Sequence, residues 1–345
     1  MSWLLNYFSF IKFSSSRQNF ITSILIFFVS LIFFISISFG SFNFSFLELF
    51  NYSESSIQKT VLFEIRIPRV LLAGFVGASL GLSGASLQGL FRNPLADPGL
   101  IGVSAGAALG AALVIVLGST YIPAYIFNTL ALPISAVLGA ALVISMLYFF
   151  TRGFGYQGIT YMLLIGIAVN AFASVGIGIL TFISTDSELR GLTFWTMGSF
   201  GGASWQIIIP ALLVIIVSMC WMIPSSRKLD LLQLGEPEAY RLGINVQKLK
   251  FKVIVSSAIT VGISVSLSGM IGFVGLVVPH LVRLLGGVNH SYLLPASAFL
   301  GATLMMTADL FSRVLIAPAE LPVGLITSAI GAPFFLWLIF RSRRI

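Results

Sequence analysis

The sequence predicts an all-α polytopic membrane protein: about ten transmembrane helices with an inverted internal repeat. Three observations carry this. The 345 residues are 57% hydrophobic and only 9% charged, against about 25% charged in a soluble domain. So little charge cannot cover a globule with polar surface, which excludes soluble, disordered and fibrous classes. The apolar runs are continuous rather than alternating, which excludes an outer-membrane barrel. Finally, two nine-residue segments in the two halves of the chain nearly match.

The spans follow in order from the gaps between charges. Residues 18–47 are uncharged and include the apolar stretch Phe20 to Phe39, one span. It is too long for a signal peptide and has no small-x-small cleavage site, so it reads as a retained anchor. Arg69 to Arg92 encloses a second span. Asp97 to Arg152 encloses 54 residues, enough for two spans and a turn near Tyr121-Ile122-Pro123, since a crossing needs about 20 residues. Arg152 to Asp186 holds one span, and Gly191 to Ser226 holds one more behind the polar-aromatic stretch Thr193 to Ser199. The long run after Lys252 divides into Lys252–Ser268 and a short Phe273–Leu285. A ninth span ends near Asp309, and residues 321–340 make the tenth.

Charge orients them. Fourteen Lys and Arg fall on the side of both termini and five on the other: Lys59, Arg66, Arg69, Arg190 and Arg313. By the positive-inside rule both termini are cytoplasmic. The organisation is a cytoplasmic segment 1–19 and a single transmembrane domain 20–345, with a cytoplasmic loop at 225–252. The net charge of +8 then needs no nucleic acid, and no basic-aromatic interleaving points to one.

Val76-Gly77-Ala78-Ser79-Leu80-Gly81-Leu82-Ser83-Gly84 matches Val261 to Gly269 at six of nine positions, and the same offset sets Pro94 on Pro279. The copies lie five spans apart, an odd number, so they cross in opposite directions. That is the mark of an inverted repeat, common in transporters. The small residues Gly74, Gly77, Gly81 and Gly84, then Gly102, Gly106 and Gly110, predict close helix packing.

The missing chemistry is informative. No G-x-x-x-x-G-K-[ST] loop exists, so the chain is not expected to hydrolyse nucleotide. His280 and His290 are too few for a metal site, and no cofactor is expected. An ion-coupled carrier would need intramembrane ionisable groups. Only Asp309 and Arg313 come near, and they read as an i, i+4 pair. Gly81-Leu82-Ser83-Gly84 fits a G-x-S-G intramembrane protease pattern, but the one candidate base, His280, falls at the wrong end of its span. Cys220 sits alone in an apolar run and has no disulfide partner.

The loop Ser225–Lys252 is the one large polar segment. Pro237 fits a first helical turn, Glu236 and Glu238 favour its N-terminal end, and Gly243 can stop it. This predicts a short amphipathic helix that docks a soluble partner. The alternative is a basic loop on anionic lipid through Lys248, Lys250 and Lys252.

Several runs resemble the iron-chelate and vitamin B12 permease family, the membrane subunits of binding-protein-dependent ABC importers. They are Arg66 to Leu71, Gly84 to Ala107, Gly235 to Ala239 with Leu242 to Ile244, Gly272 to Arg283, and Ala319 to Gly324. The resemblance covers roughly residues 60–340. It implies ten helices per subunit, a homodimer around a central pathway, two cytoplasmic ATP-binding subunits and a periplasmic or extracellular substrate-binding protein. It implies the bacterial inner membrane. Arg66, Arg69 and Arg313 would dock the binding protein through its acidic residues. Asn93, Pro94 and Leu95 would form the cytoplasmic gate, with Gly155-Tyr156-Gln157 as a second element. Gly235, Glu236, Glu238, Ala239, Leu242 and Gly243 would couple to the ATPase. The segment Leu192 to Trp205 looks most like haem permeases, which orders the substrates as haem, ferric siderophore and cobalamin.

Overall fold

The computed structural model describes residues 16–40, 59–121, 131–151 and 158–342. In chain order the helices are α1 (Ser16–Ser38), α2 (Ile67–Phe91), α3 (Val103–Tyr121), α4 (Ala131–Thr151), α5 (Gly158–Ile183), α6 (Asp186–Met197) and α7 (Trp205–Met222). They continue with α8 (Ser226–Leu232), α9 (Glu236–Arg241), α10 (Val246–Ser268), α11 (Val274–Gly286), α12 (His290–Val314) and α13 (Val323–Ser342). Among the described residues, seven helices are long and apolar enough to cross a membrane, and three shorter apolar ones begin at Val103, Val274 and Val323. Together these are the ten expected spans. The described residues contain no strand. The turn expected at Ile122-Pro123, Arg152 and Gly155 to Gln157 lie outside the described residues.

Two boundaries differ from the sequence reading. α10 starts six residues before Lys252, capped by the Asn245 side chain on the Lys248 amide at 2.9 Å. The polar-aromatic stretch before α7 belongs to a separate helix, α6. Thr185 and Glu188 form a reciprocal capping box at its start, which satisfies two N-terminal donors at once.

Small residues decide the packing. α2 and α12 run antiparallel in such close contact that a Cβ on Gly77 would stand 2.2 Å from the Gly301 carbonyl, and one on Gly81 would stand 2.3 Å from that of Ser297. α3 and α4 meet in the same way at Gly106 and Gly139. Without water to exclude, van der Waals contact and interhelical hydrogen bonds hold such helices together, and both need close backbones.

The repeat is visible as a local crossing. The offset that aligns the two halves pairs Ser79 with Ser264, and these two buried hydroxyls lie 2.6 Å apart. Ser83 bonds Thr260 at 2.8 Å, so α2 and α10 cross antiparallel. The hydroxyl singled out in the protease pattern is thus a packing group, while His280 rests against Phe334. α11 has only 13 residues, about 20 Å of helix, and follows the irregular stretch Gly269–Phe273, where Phe273 adopts φ 67°.

The ends of the bundle sort themselves. Gln18 at the start of α1 bonds the Gly286 carbonyl at 2.7 Å, so α1 begins where α11 ends. α13 runs beside α11, with Gly331 against Phe273 and Phe334 against His280. The two outermost described helices therefore begin and end at the same face as the 225–252 loop. At the opposite face, Val323 donates to the Gly198 carbonyl and Ser199 to that of Ser268, joining α6, α10 and α13.

Candidate functional site at the two ends of the bundle

At the face away from the loop, the three arginines expected to dock a partner come together, but inside the protein. Arg66, Arg69 and Arg313 are 4%, 6% and 7% exposed. Arg69 donates its Nε to Asp309 at 2.8 Å and its Nη1 to both oxygens of Glu320 at 2.9 Å. Arg313 Nε stands 3.1 Å from the other Asp309 oxygen, an ionic contact whose geometry does not make a directed hydrogen bond. The i, i+4 pairing of Asp309 with Arg313 is therefore present, but Asp309 also serves Arg69 on another helix. The expected docking arginines thus lie just inside this end of the bundle, beside Asp309 and Glu320. Their guanidinium donors are committed within the chain, and only Glu320 of this network is substantially exposed, at 47%.

The same cluster holds the N-terminal helix. Arg66 donates to the Ile37 and Ser38 carbonyls at 2.9 and 3.2 Å, and Arg313 to those of Ser36 and Phe39 at 3.1 and 3.3 Å. The last carbonyls of a helix lack intrahelical partners and carry its negative end. Two cations capping them dock α1 onto α2 and α12.

At the opposite face, α2 ends at Arg92 with φ 50° and the chain enters Asn93-Pro94-Leu95, all exposed. The Asn93 side chain accepts from the Leu95 amide at 2.9 Å. Asp97 accepts from Gly99 at 2.7 Å, and burial pushes its carboxyl above the ordinary range. Together these give a short, stiff, solvent-facing connection.

Beside it stands the loop, folded as α8 and α9. Gly235 at φ 115° and Gly243 at φ 83° bracket α9, a region that favours glycine. Glu236 does not face solvent. It is 6% exposed and forms a 2.8 Å ion pair with Lys250, also 6% exposed. Ala239 is fully buried beneath α9. Glu238 pairs with Arg241 on the surface. Leu234, Tyr240 and Leu242 are 63%, 70% and 56% exposed, three large apolar side chains close in sequence at a polar end of the molecule. The preceding helix α8 with Asp230, and Gln233 just beyond its end, had no clear sequence signal; neither did Lys250 as the partner of Glu236.

An apolar groove of about 800 Å³ lies among α3, α4 and α5, lined by Leu109, Leu113, Leu142, Phe150 and Phe172 among others. Among the described residues, no charged side chain lines it.

The FecCD transport family matches residues 26–341. This chain belongs to the FecCD transport family. Relatives agree in length as well as pattern. The hemin transport system permease protein HmuU of Yersinia pestis is 45% identical over 308 residues, 89% of this chain and 91% of that one. The vitamin B12 import system permease protein BtuC of Klebsiella pneumoniae is 40% identical over 282 residues, 82% of this chain and 83% of the relative. A solved metal-chelate type ABC transporter in an inward-facing conformation superposes with a TM-score of 0.82 at 34% identity, covering 93% of this chain and 99% of that one. As a FecCD chain, the protein is a multi-pass ABC importer permease, a type of subunit that works with ATP-binding and substrate-binding partners.

Proposed function

We propose that this chain is the membrane subunit of an importer for an iron chelate, haem first, with ferric siderophore or cobalamin as the alternative cargo. The observation that carries the reading is the exposed Leu234, Tyr240 and Leu242 face beside the exposed Asn93-Pro94-Leu95 connection. One surface can meet a cytoplasmic ATPase while the other closes the pathway. The 45% identity to a hemin permease supports haem ahead of cobalamin. ATP hydrolysis belongs to two partner subunits, and two copies of this chain frame the pathway in the bacterial inner membrane with both termini cytoplasmic. Nucleotide state biases the permease because each state contacts the coupling face differently. The binding protein meets the opposite face. There Arg66, Arg69 and Arg313 act as a positive field that steers acidic lobes, behind the exposed Glu320.

The test is ATP hydrolysis by the complex reconstituted in lipid with candidate binding proteins. Stimulation by a haem-loaded binding protein, and not by siderophore- or cobalamin-loaded ones, is the expected result. Stimulation by a cobalamin-loaded protein alone would reassign the cargo. Failure of every ATP-binding subunit to copurify would remove the importer reading.

A further inference from the structure

The coupling face and the gate connection lie on separate stretches of chain, and α8 is what joins them. Asp230 and Gln233 sit one turn apart and so share a helix face. The Gln233 side-chain amide donates to the Gly89 carbonyl at 2.8 Å and to that of Leu229 at 3.1 Å. Gly89 lies in the last turn of α2, and its carbonyl also accepts the Arg92 N–H at 3.3 Å. Asp230 accepts the His290 backbone N–H at 2.9 Å, and its same oxygen stands 2.6 Å from His290 Nδ1. His290 opens α12, where free amides and the helix dipole favour a carboxylate. α8 and the residue that follows it therefore hold the last turn of α2 with a donor and the first turn of α12 with an acceptor.

The contact leaves no play. A Cβ on Gly89 would stand 2.3 Å from His290 Nε2, so the imidazole is wedged between Asp230 and the α2 backbone. Gln88, the next residue back, pairs with Arg283 and reaches the Gly275 carbonyl at 3.3 Å, extending the connection to α11. Beyond Gly89 the chain runs only through Leu90, Phe91 and Arg92 before it enters Asn93. On the other side, Gln233 directly precedes Leu234 of the exposed face.

We propose that Asp230, Gln233 and His290 form a clamp of positioning residues that transmits displacement of the coupling face to the Asn93-Pro94-Leu95 connection. The proposal rests on the permease reading above. Breaking the clamp leaves ATPase docking and hydrolysis in place while separating hydrolysis from movement of cargo. A purely structural role would instead lower both together.

The experiment uses the reconstituted complex with a haem-loaded binding protein and scores haem taken up per ATP hydrolysed. The permease carries Asp230→Cys and His290→Cys in a Cys220→Ser background, and each sample is assayed reduced and then oxidised. Reduced, the clamp is open: haem uptake per ATP is expected to fall at least tenfold, with hydrolysis within twofold of the Cys220→Ser parent. Oxidised, a disulfide ties α8 to α12 again and the ratio is expected to recover. Because both states come from one folded preparation, misfolding cannot mimic the result. Gln233→Ala, which removes the other arm, is expected to lower the ratio severalfold. Equal ratios in reduced, oxidised and parental samples would overturn the clamp, as would hydrolysis falling in step with uptake. A parent that takes up none of haem, ferric siderophore or cobalamin would instead remove the permease reading itself.

Discussion

The two ends of this bundle use their polar and apolar residues in opposite ways. At the Arg69 end the charges turn inward: three arginines, Asp309 and the α1 carbonyls satisfy one another almost out of reach of solvent. At the α9 end the apolar side chains turn outward, and Leu234, Tyr240 and Leu242 stand exposed. The first arrangement finds most of its counterparts within the chain. The second leaves its apolar groups uncovered among the described residues. The difference teaches that the position of a charge in the sequence does not say whether it stands on a surface or beneath one.

The comparison can be broken at its strongest point first. Asp309→Ala removes the buried carboxylate that Arg69 and Arg313 share, leaving Arg69 with Glu320 and Arg313 with the α1 carbonyls. Removing one member of a buried ionic network costs about 3–5 kcal/mol, so thermal unfolding of the purified protein should show a large loss, and α1 should become sensitive to proteolysis. An unchanged melting temperature would mean that the cluster is not what holds this end.

Gly301→Ala tests the packing that both ends share. The new methyl would stand 2.2 Å from the Gly77 carbonyl, forcing α2 and α12 apart at about 1–3 kcal/mol, read by the same unfolding assay. Leu242→Asp acts only at the open end. It should leave the melting temperature of the isolated subunit unchanged and weaken ATP-subunit binding by about tenfold or more, since apolar anchors dominate such contacts. Binding measured by titration would decide. Glu238→Gln should matter least. Its pair with Arg241 is exposed on both sides, and such pairs contribute about 0–1 kcal/mol, so stability should stay within error. A large effect there would move the ATPase contact from the apolar face to the charged rim.

Much of the fold was legible because the bilayer imposes a simple rule: a crossing needs an uncharged run of sufficient length. That rule finds α11 despite its shortness, through parity, while helix-end signals at Gly235, Pro237 and Gly243 find both ends of α9. It is blind to α6, although Thr185 and Glu188 spell a capping box. It is blind also to the direction of a side chain. Arg66, Arg69 and Arg313 lie near span ends, where exposure is the natural expectation, and nothing in their spacing says that Asp309, Glu320 and the end of α1 meet them.

By itself the sequence determined the helices, their membrane environment, the antiparallel repeat and the family pattern of the coupling segment. These are local or periodic properties, set by runs of apolar residues, glycine positions and motif spacing. Only the tertiary structure decided which charges are buried, that Glu236 belongs to Lys250, and that Asp230 and Gln233 grip the ends of α12 and α2. Those pairings join residues from 14 to 240 positions apart. They arise from helices brought into register by close packing, and no short-range pattern encodes them.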